Sequence, residues 1–125
     1  MKIRCLTNNP MVIERGLPFV EALPGISVVQ LFMVVKEEIS KGYQLVTHPL
    51  TGNIGPDRNP YKTIVLTGVP GKVDSRSLEI MEQAIVFANS FSKGQMQRNW
   101  DSDTLKDLQL IDLDFIKGYL NKELI

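Results

Sequence analysis

Short apolar runs alternate along the chain with longer stretches in which apolar residues recur at helical spacing. Runs rich in apolar and β-branched residues and bounded by turn residues are typical of strands, whereas a spacing of three and four residues is typical of amphipathic helices. Strands are predicted at residues 2–7, 17–23, 43–47 and 63–67. Helices are predicted at residues 10–15, 26–41 and 74–94, then at 101–110 and in a final helix that Asp112 caps.

The segment 26–41 fits both patterns, because its valines favour a strand while its apolar residues recur at helical spacing. Its length, and Gly42 at the position of a left-handed cap, favour a helix. The residues predicted to face the sheet from this helix are Val28, Leu31, Phe32 and Val35.

Strands that alternate with helices predict a parallel sheet covered on both faces. We therefore expect one α/β domain over residues 1–125, a small three-layer, Rossmann-like domain with a mostly parallel four-stranded sheet. The strand at 43–47 would return beside the first strand, giving the order 2-1-3. The link from 48 to 60 has no obvious helix, which leaves open that one strand pair is antiparallel.

Three of the predicted strands end in an aliphatic residue and a threonine, at Thr7, Thr47 and Thr67. In a parallel sheet these ends share one edge, where open α/β sheets bind ligands. The sequence Asn8-Asn9-Pro10 adds the signature of a helix start, because an Asn side chain accepts from an unpaired amide and proline fits the first helical position.

A candidate ligand site follows from this arrangement. Its side chains would be Asn8, Asn9, His48, Thr51 and Asn53, brought together where the first and third strands end. Amides, hydroxyls and one histidine suit an anionic or amide-bearing ligand better than a cation. The competing interpretation is that these residue types only end strands, cap helices and satisfy backbone groups in the loop.

Composition narrows the range of partners and cofactors. Fourteen basic residues balance fourteen acidic ones, so no broad charge favours nucleic acid or an anionic membrane. The single cysteine, Cys5, is expected in the core, and with one histidine it falls short of a zinc set. We predict no metal, no cofactor and no catalytic residue. Met1 leads straight into a strand without a secretion signal, so a cytoplasmic protein is expected.

Three segments carry a resemblance that spans nearly the whole chain. They are Leu6-Thr-Asn-Asn-Pro10, then Lys41-Gly-Tyr-Gln-Leu-Val-Thr-His-Pro-Leu-Thr-Gly-Asn-Ile54 with Pro60-Tyr-Lys62, and Leu108-Gln-Leu-Ile-Asp112. In these the chain resembles the GrdX family, small proteins named for genes beside the glycine, sarcosine and betaine reductase systems of anaerobes. The resemblance implies a cytoplasmic accessory protein of that pathway. The family has no established activity, so it assigns no functional residue.

Two functions remain in competition, and whether the protein is an enzyme stays open. The favoured one is a noncatalytic accessory protein that binds a component of the glycine reductase system. No Cys-x-x-Cys is present, so the chain is not expected to be the electron carrier. The alternative is a binding module or enzyme for a small anionic metabolite or nucleotide, held at the carboxyl ends of the strands under the His48 loop.

Overall fold

The computed structural model describes residues 2–51, 55–91 and 100–123. The strands are β1 (Ile3–Thr7), β2 (Val20–Ala22) and β3 (Thr63–Thr67), and the helices are α1 (Pro10–Ile13), α2 (Val28–Ser40), α3 (Ser75–Ser90) and α4 (Ser102–Glu123). Within the described residues, no helix combines the length and the apolar character that a membrane crossing needs. The helix end predicted at Gly94 lies outside these residues; α3 ends before it, with Phe91 as its cap.

The sheet has three strands in the order β2-β1-β3, and it is mixed. β1 pairs with β2 in parallel and with β3 antiparallel, so that Cys5 lies opposite Val20 on one side and Val65 on the other. The expected four-stranded, mostly parallel, Rossmann-like sheet is therefore wrong, although the chain is a small α/β domain. The physical reason is the link before β3, whose described residues, 48–51 and 55–62, contain no crossover helix to deliver a parallel strand.

Residues 43–47, expected to be a strand beside β1, lie instead against the outer side of β3. They form one antiparallel bridge, between Leu45 and Leu66, together with a bond of 2.8 Å from the Val46 amide to the Val65 carbonyl. The Thr47 hydroxyl accepts from the Val65 amide at 3.0 Å. A side chain thus takes a ladder position, and the segment contacts β3 without forming a regular strand.

The segment 26–41 is helical, as predicted. Ser27 caps α2 through a reciprocal capping box with Gln30, and the buried face includes every residue predicted to face the sheet. α2 and α3 cover one face of the sheet, while α1 and α4 cover the other, where Cys5 is buried. The core on the α2 side is built around the following residues: Leu6, Leu31, Phe32, Val35, Ile39, Ile64, Leu66 and Met81.

α4 is one continuous helix where two were predicted. Asp101 accepts from the Thr104 amide at 2.7 Å and so caps its start, whereas Asp112, the expected cap of a second helix, lies in the middle. No glycine or proline separates the two predicted segments, and the apolar spacing runs through to Leu113, Ile116 and Leu120. The helix therefore continues, and Asp112 is carried into the interior.

The structure requires a glycine at position 42, after α2, for two reasons. Its φ is +107°, and a Cβ there would lie 2.1 Å from the Gly71 carbonyl oxygen. Gly42→Ala is expected to lower the free energy of unfolding by about 1–3 kcal/mol, because strain and a steric clash add. Urea unfolding measures the loss. The matched control is Gly25→Ala, whose φ is also positive but whose Cβ would meet nothing within 4 Å. Equal losses in the two variants would contradict the role given to the Gly71 contact.

Candidate functional site at the carboxyl end of the first strand

Four polar side chains are buried together where β1 ends, and we call them the Asp112 cluster: Thr7, Asn9, Thr63 and Asp112. Thr7 and Thr63 lie opposite each other in the β1–β3 ladder. Asn9 follows β1 and caps the start of α1, in agreement with the helix start predicted at Asn8-Asn9-Pro10. Asp112 lies on α4, far from the others along the chain. None of the four side chains is more than 3% exposed.

Hydrogen bonds run through the cluster in one direction. The Asn9 backbone amide donates to the Thr7 hydroxyl at 3.0 Å, and the Thr7 and Thr63 hydroxyls lie 2.7 Å apart. The Thr63 hydroxyl donates to Asp112 Oδ2 at 2.7 Å and therefore accepts in its contact with Thr7, whose hydroxyl also donates to the Lys62 carbonyl at 3.3 Å. Asp112 also accepts from the Thr63 amide at 3.0 Å and from Asn9 Nδ2 at 2.9 Å. Both carboxyl oxygens are therefore occupied.

Burial raises the pKa of Asp112, while the hydrogen bonds from Asn9 and Thr63 and the nearby charge of Lys62 act to lower it. The same carboxyl group connects three elements. It lies on α4, and its donors are two groups of Thr63, at the sheet edge, and the side chain of Asn9, at the start of α1. A carboxyl group with all its contacts inside the protein fixes these elements relative to one another.

Asn8 connects the loop before β3 to the sheet edge. Its Oδ1 accepts from the Lys62 amide at 2.8 Å, and its Nδ2 donates to the carbonyls of Ile26 and Pro60, both at 2.9 Å. Asn59 extends this connection to α4, since its Nδ2 donates to the Leu108 carbonyl at 3.1 Å. Both asparagines are buried. Asn8 is thus used for positioning the loop.

Two other predicted site residues, His48 and Thr51, belong to a turn at the surface. His48 is exposed, and its Nδ1 accepts from the Leu50 amide at 3.1 Å. Its carbonyl accepts from the Thr51 hydroxyl at 2.6 Å. Asn53 lies outside the described residues. Asn8 and Thr51 are joined through Lys62, whose amide donates to Asn8 while its Nζ donates to the Thr51 carbonyl at 3.0 Å.

The expectation that Thr7, Thr47 and Thr67 lie at one edge of the sheet is correct only in part. Because β3 is antiparallel to β1, Thr67 lies at the opposite edge, and Thr63 occupies the place beside Thr7. Residues 43–47 run antiparallel to β3 and therefore in the direction of β1, so Thr47 ends at the same edge as Thr7. The expectation for Thr67 was wrong because it assumed four parallel strands.

A small pocket, the Lys62 pocket, opens beside this edge. Its polar lining residues are Asn59, Tyr61 and Lys62, and its apolar ones are Val28, Phe32, Pro49, Leu50, Pro56, Phe87 and Ala88. Its cavity volume is about 10 Å³. That is room for about one water. Burial lowers the pKa of Lys62, against the opposing effect of Asp112.

Sequence reasoning missed Lys62, Thr63 and Asp112. A signal for two of them was present, because Lys62 and Asp112 lie within the segments that carry the family resemblance. Asp112 was interpreted as a helix cap, and Thr63 simply as the first residue of a strand. Within the described residues, no group of three or more His, Cys, Asp or Glu side chains is placed to hold a metal ion.

The chain matches a known protein family. The model of a family described as GrdX-like protein matches residues 4–121. No curated protein and no solved structure matches the chain. The matched range includes the Asp112 cluster and Lys62.

Proposed function

The chain belongs to the GrdX-like protein family, and we propose that it is a noncatalytic, cytoplasmic accessory protein that associates with a component of the glycine reductase pathway. The observation that supports this proposal is that polar residues in the segments carrying the family resemblance form hydrogen bonds within the chain. Asn8, Asn9 and Asp112 bond to neighbouring parts of the same chain. Such residues stabilise a shape, and a shape presented to another protein is what an accessory function needs.

Anaerobic co-purification tests this association. The tagged protein is expressed in a cell that makes the reductase system, and we expect at least one reductase component to be recovered with it. The tag alone, expressed in the same cell, controls for adventitious capture. Repeated recovery of the tagged chain with no reductase component would count against the association.

A second candidate function is the binding of a small anionic molecule at the same edge, either by a binding module or by an enzyme. One observation favours it, namely that Lys62 lines a pocket whose other walls are mostly apolar. Thermal-shift screening with nucleotides, acyl phosphates, amino acids and carboxylates tests this function. Stabilisation that grows with ligand concentration supports it, and a flat response across the whole panel contradicts it.

A further inference from the structure

We propose that the Lys62 pocket binds a small monocarboxylate with an apolar body, an inference that rests on the second candidate function above. The carboxylate would accept from Lys62 Nζ, and the apolar body would lie against Phe32, Leu50 and Phe87. Three features of the pocket lead to this ligand class: the fixed position of the lysine, its charge, and the apolar lining.

The lysine is held in place by its own backbone. Its amide donates to Asn8 Oδ1 at 2.8 Å, and Asn8 is in turn bonded to the carbonyls of Ile26 and Pro60. The Nζ atom donates to the Thr51 carbonyl at 3.0 Å, the one hydrogen bond it makes among the described residues. An ammonium group carries three donors. The group therefore has donors left for a ligand.

The charge of the lysine has no direct counter-ion among the described residues. Asp112 acts on it only through space, because the carboxyl oxygens of Asp112 accept from Asn9 and Thr63. A ligand carboxylate would supply the missing negative charge through a charge-assisted hydrogen bond. One cation suits one negative charge. A nucleotide or a phosphate dianion carries more charge than this pocket neutralises.

The apolar lining indicates that the rest of the ligand, beyond its carboxylate, is apolar. Phe32, Phe87 and Leu50 line the same pocket as Lys62. Apolar surface buried here contributes about 25 cal/mol per Å². Since the cavity has room for about one water, binding requires the turn around Leu50 to move outward. The ligand carboxylate would accept from the Nζ donors that the Thr51 carbonyl leaves unused.

The test compares hexanoate with its neutral counterpart hexanamide by two-dimensional NMR titration of the whole chain. We expect saturable binding of hexanoate, with the largest shift changes at Leu50, Lys62 and Phe87, and binding of hexanamide at least about tenfold weaker. Lys62→Met keeps the length of the side chain and removes its charge, and it is expected to weaken hexanoate binding about tenfold or more. Lys72→Met, at an exposed lysine, is the matched control and should bind as the unchanged protein does.

Equal affinity for hexanoate and hexanamide, or shift changes centred elsewhere, would overturn the proposal. The comparison of the two ligands uses the unchanged protein, so it decides the matter even if Lys62→Met does not fold. No binding of hexanoate together with stabilisation by a nucleotide would reject the ligand class and leave the second candidate function standing. No response to hexanoate or to any member of the panel would reject both, while the association with a reductase component is judged by co-purification alone.

Discussion

Replacing Phe32 with alanine is expected to lower the free energy of unfolding by about 3–5 kcal/mol, a large part of the stability of a small domain. Phe32 is 1% exposed and packs from α2 against the core on that side of the sheet. Its removal costs both the burial of the ring and the cavity left behind. Denaturant titration measures the loss.

The control for Phe32→Ala is the next residue of the same helix. Met33 is 53% exposed, so Met33→Ala should change stability by no more than about 0.5 kcal/mol. A cost below about 1 kcal/mol for Phe32→Ala would mean that the segment is not packed as described.

The Asp112→Ala substitution is expected to cost a similar amount, about 3–5 kcal/mol, through a different mechanism. It removes the acceptor of the Thr63 backbone amide, of the Thr63 hydroxyl and of one hydrogen on Asn9 Nδ2, all of them buried, while Nδ2 keeps its bond to the Gln109 carbonyl. The free energy of unfolding, measured by urea titration near neutral pH, should fall accordingly. Asp112→Asn keeps one acceptor oxygen, so its cost should be intermediate.

Asp114→Ala, at an exposed position in the same helix, is the matched control. Asp114 forms an exposed ion pair with Lys117, with 3.1 Å between Nζ and Oδ1, and such pairs are worth about 0–1 kcal/mol. If Asp112→Ala and Asp114→Ala cost the same, the buried cluster does not hold α4 against the sheet as the hydrogen bonds imply.

Local patterns predicted the helices better than the sheet. The capped start at Asn9 and the helix around Phe32 follow from spacing and capping, which act within a few residues. The position of β3 depends on which strand it pairs with, and that choice is made by packing across the whole chain. The continuous α4 shows the same limit, because Asp112 has the residue type of a cap but lies in the middle of the helix.

For the site, sequence reasoning assigned Asn8 and Asn9 to a ligand at the carboxyl end of the first strand, and that assignment stays a prediction. In the structure both side chains bond within the chain. Lys62 is a residue type that is usually exposed, and nothing in its neighbours along the chain signals a pocket. Its environment is set by Phe32 and Phe87, which come from two different helices. Such a convergence is a property of tertiary structure, and single-sequence patterns do not contain it.

The long range of the contacts at the sheet edge has a consequence for the order of folding. Thr7 and Thr63 are 56 residues apart in the chain, and Asn9 and Asp112 are 103 apart. Contacts of high sequence separation slow folding, because the entropy of closing the loop is lost before the contact forms. During synthesis β1 can therefore pair with β3 only after β3 has been made, and the polar groups at the end of β1 can bond to Asp112 only after α4 has been made. The nascent domain thus reaches its native state late, after most of its residues have been synthesised.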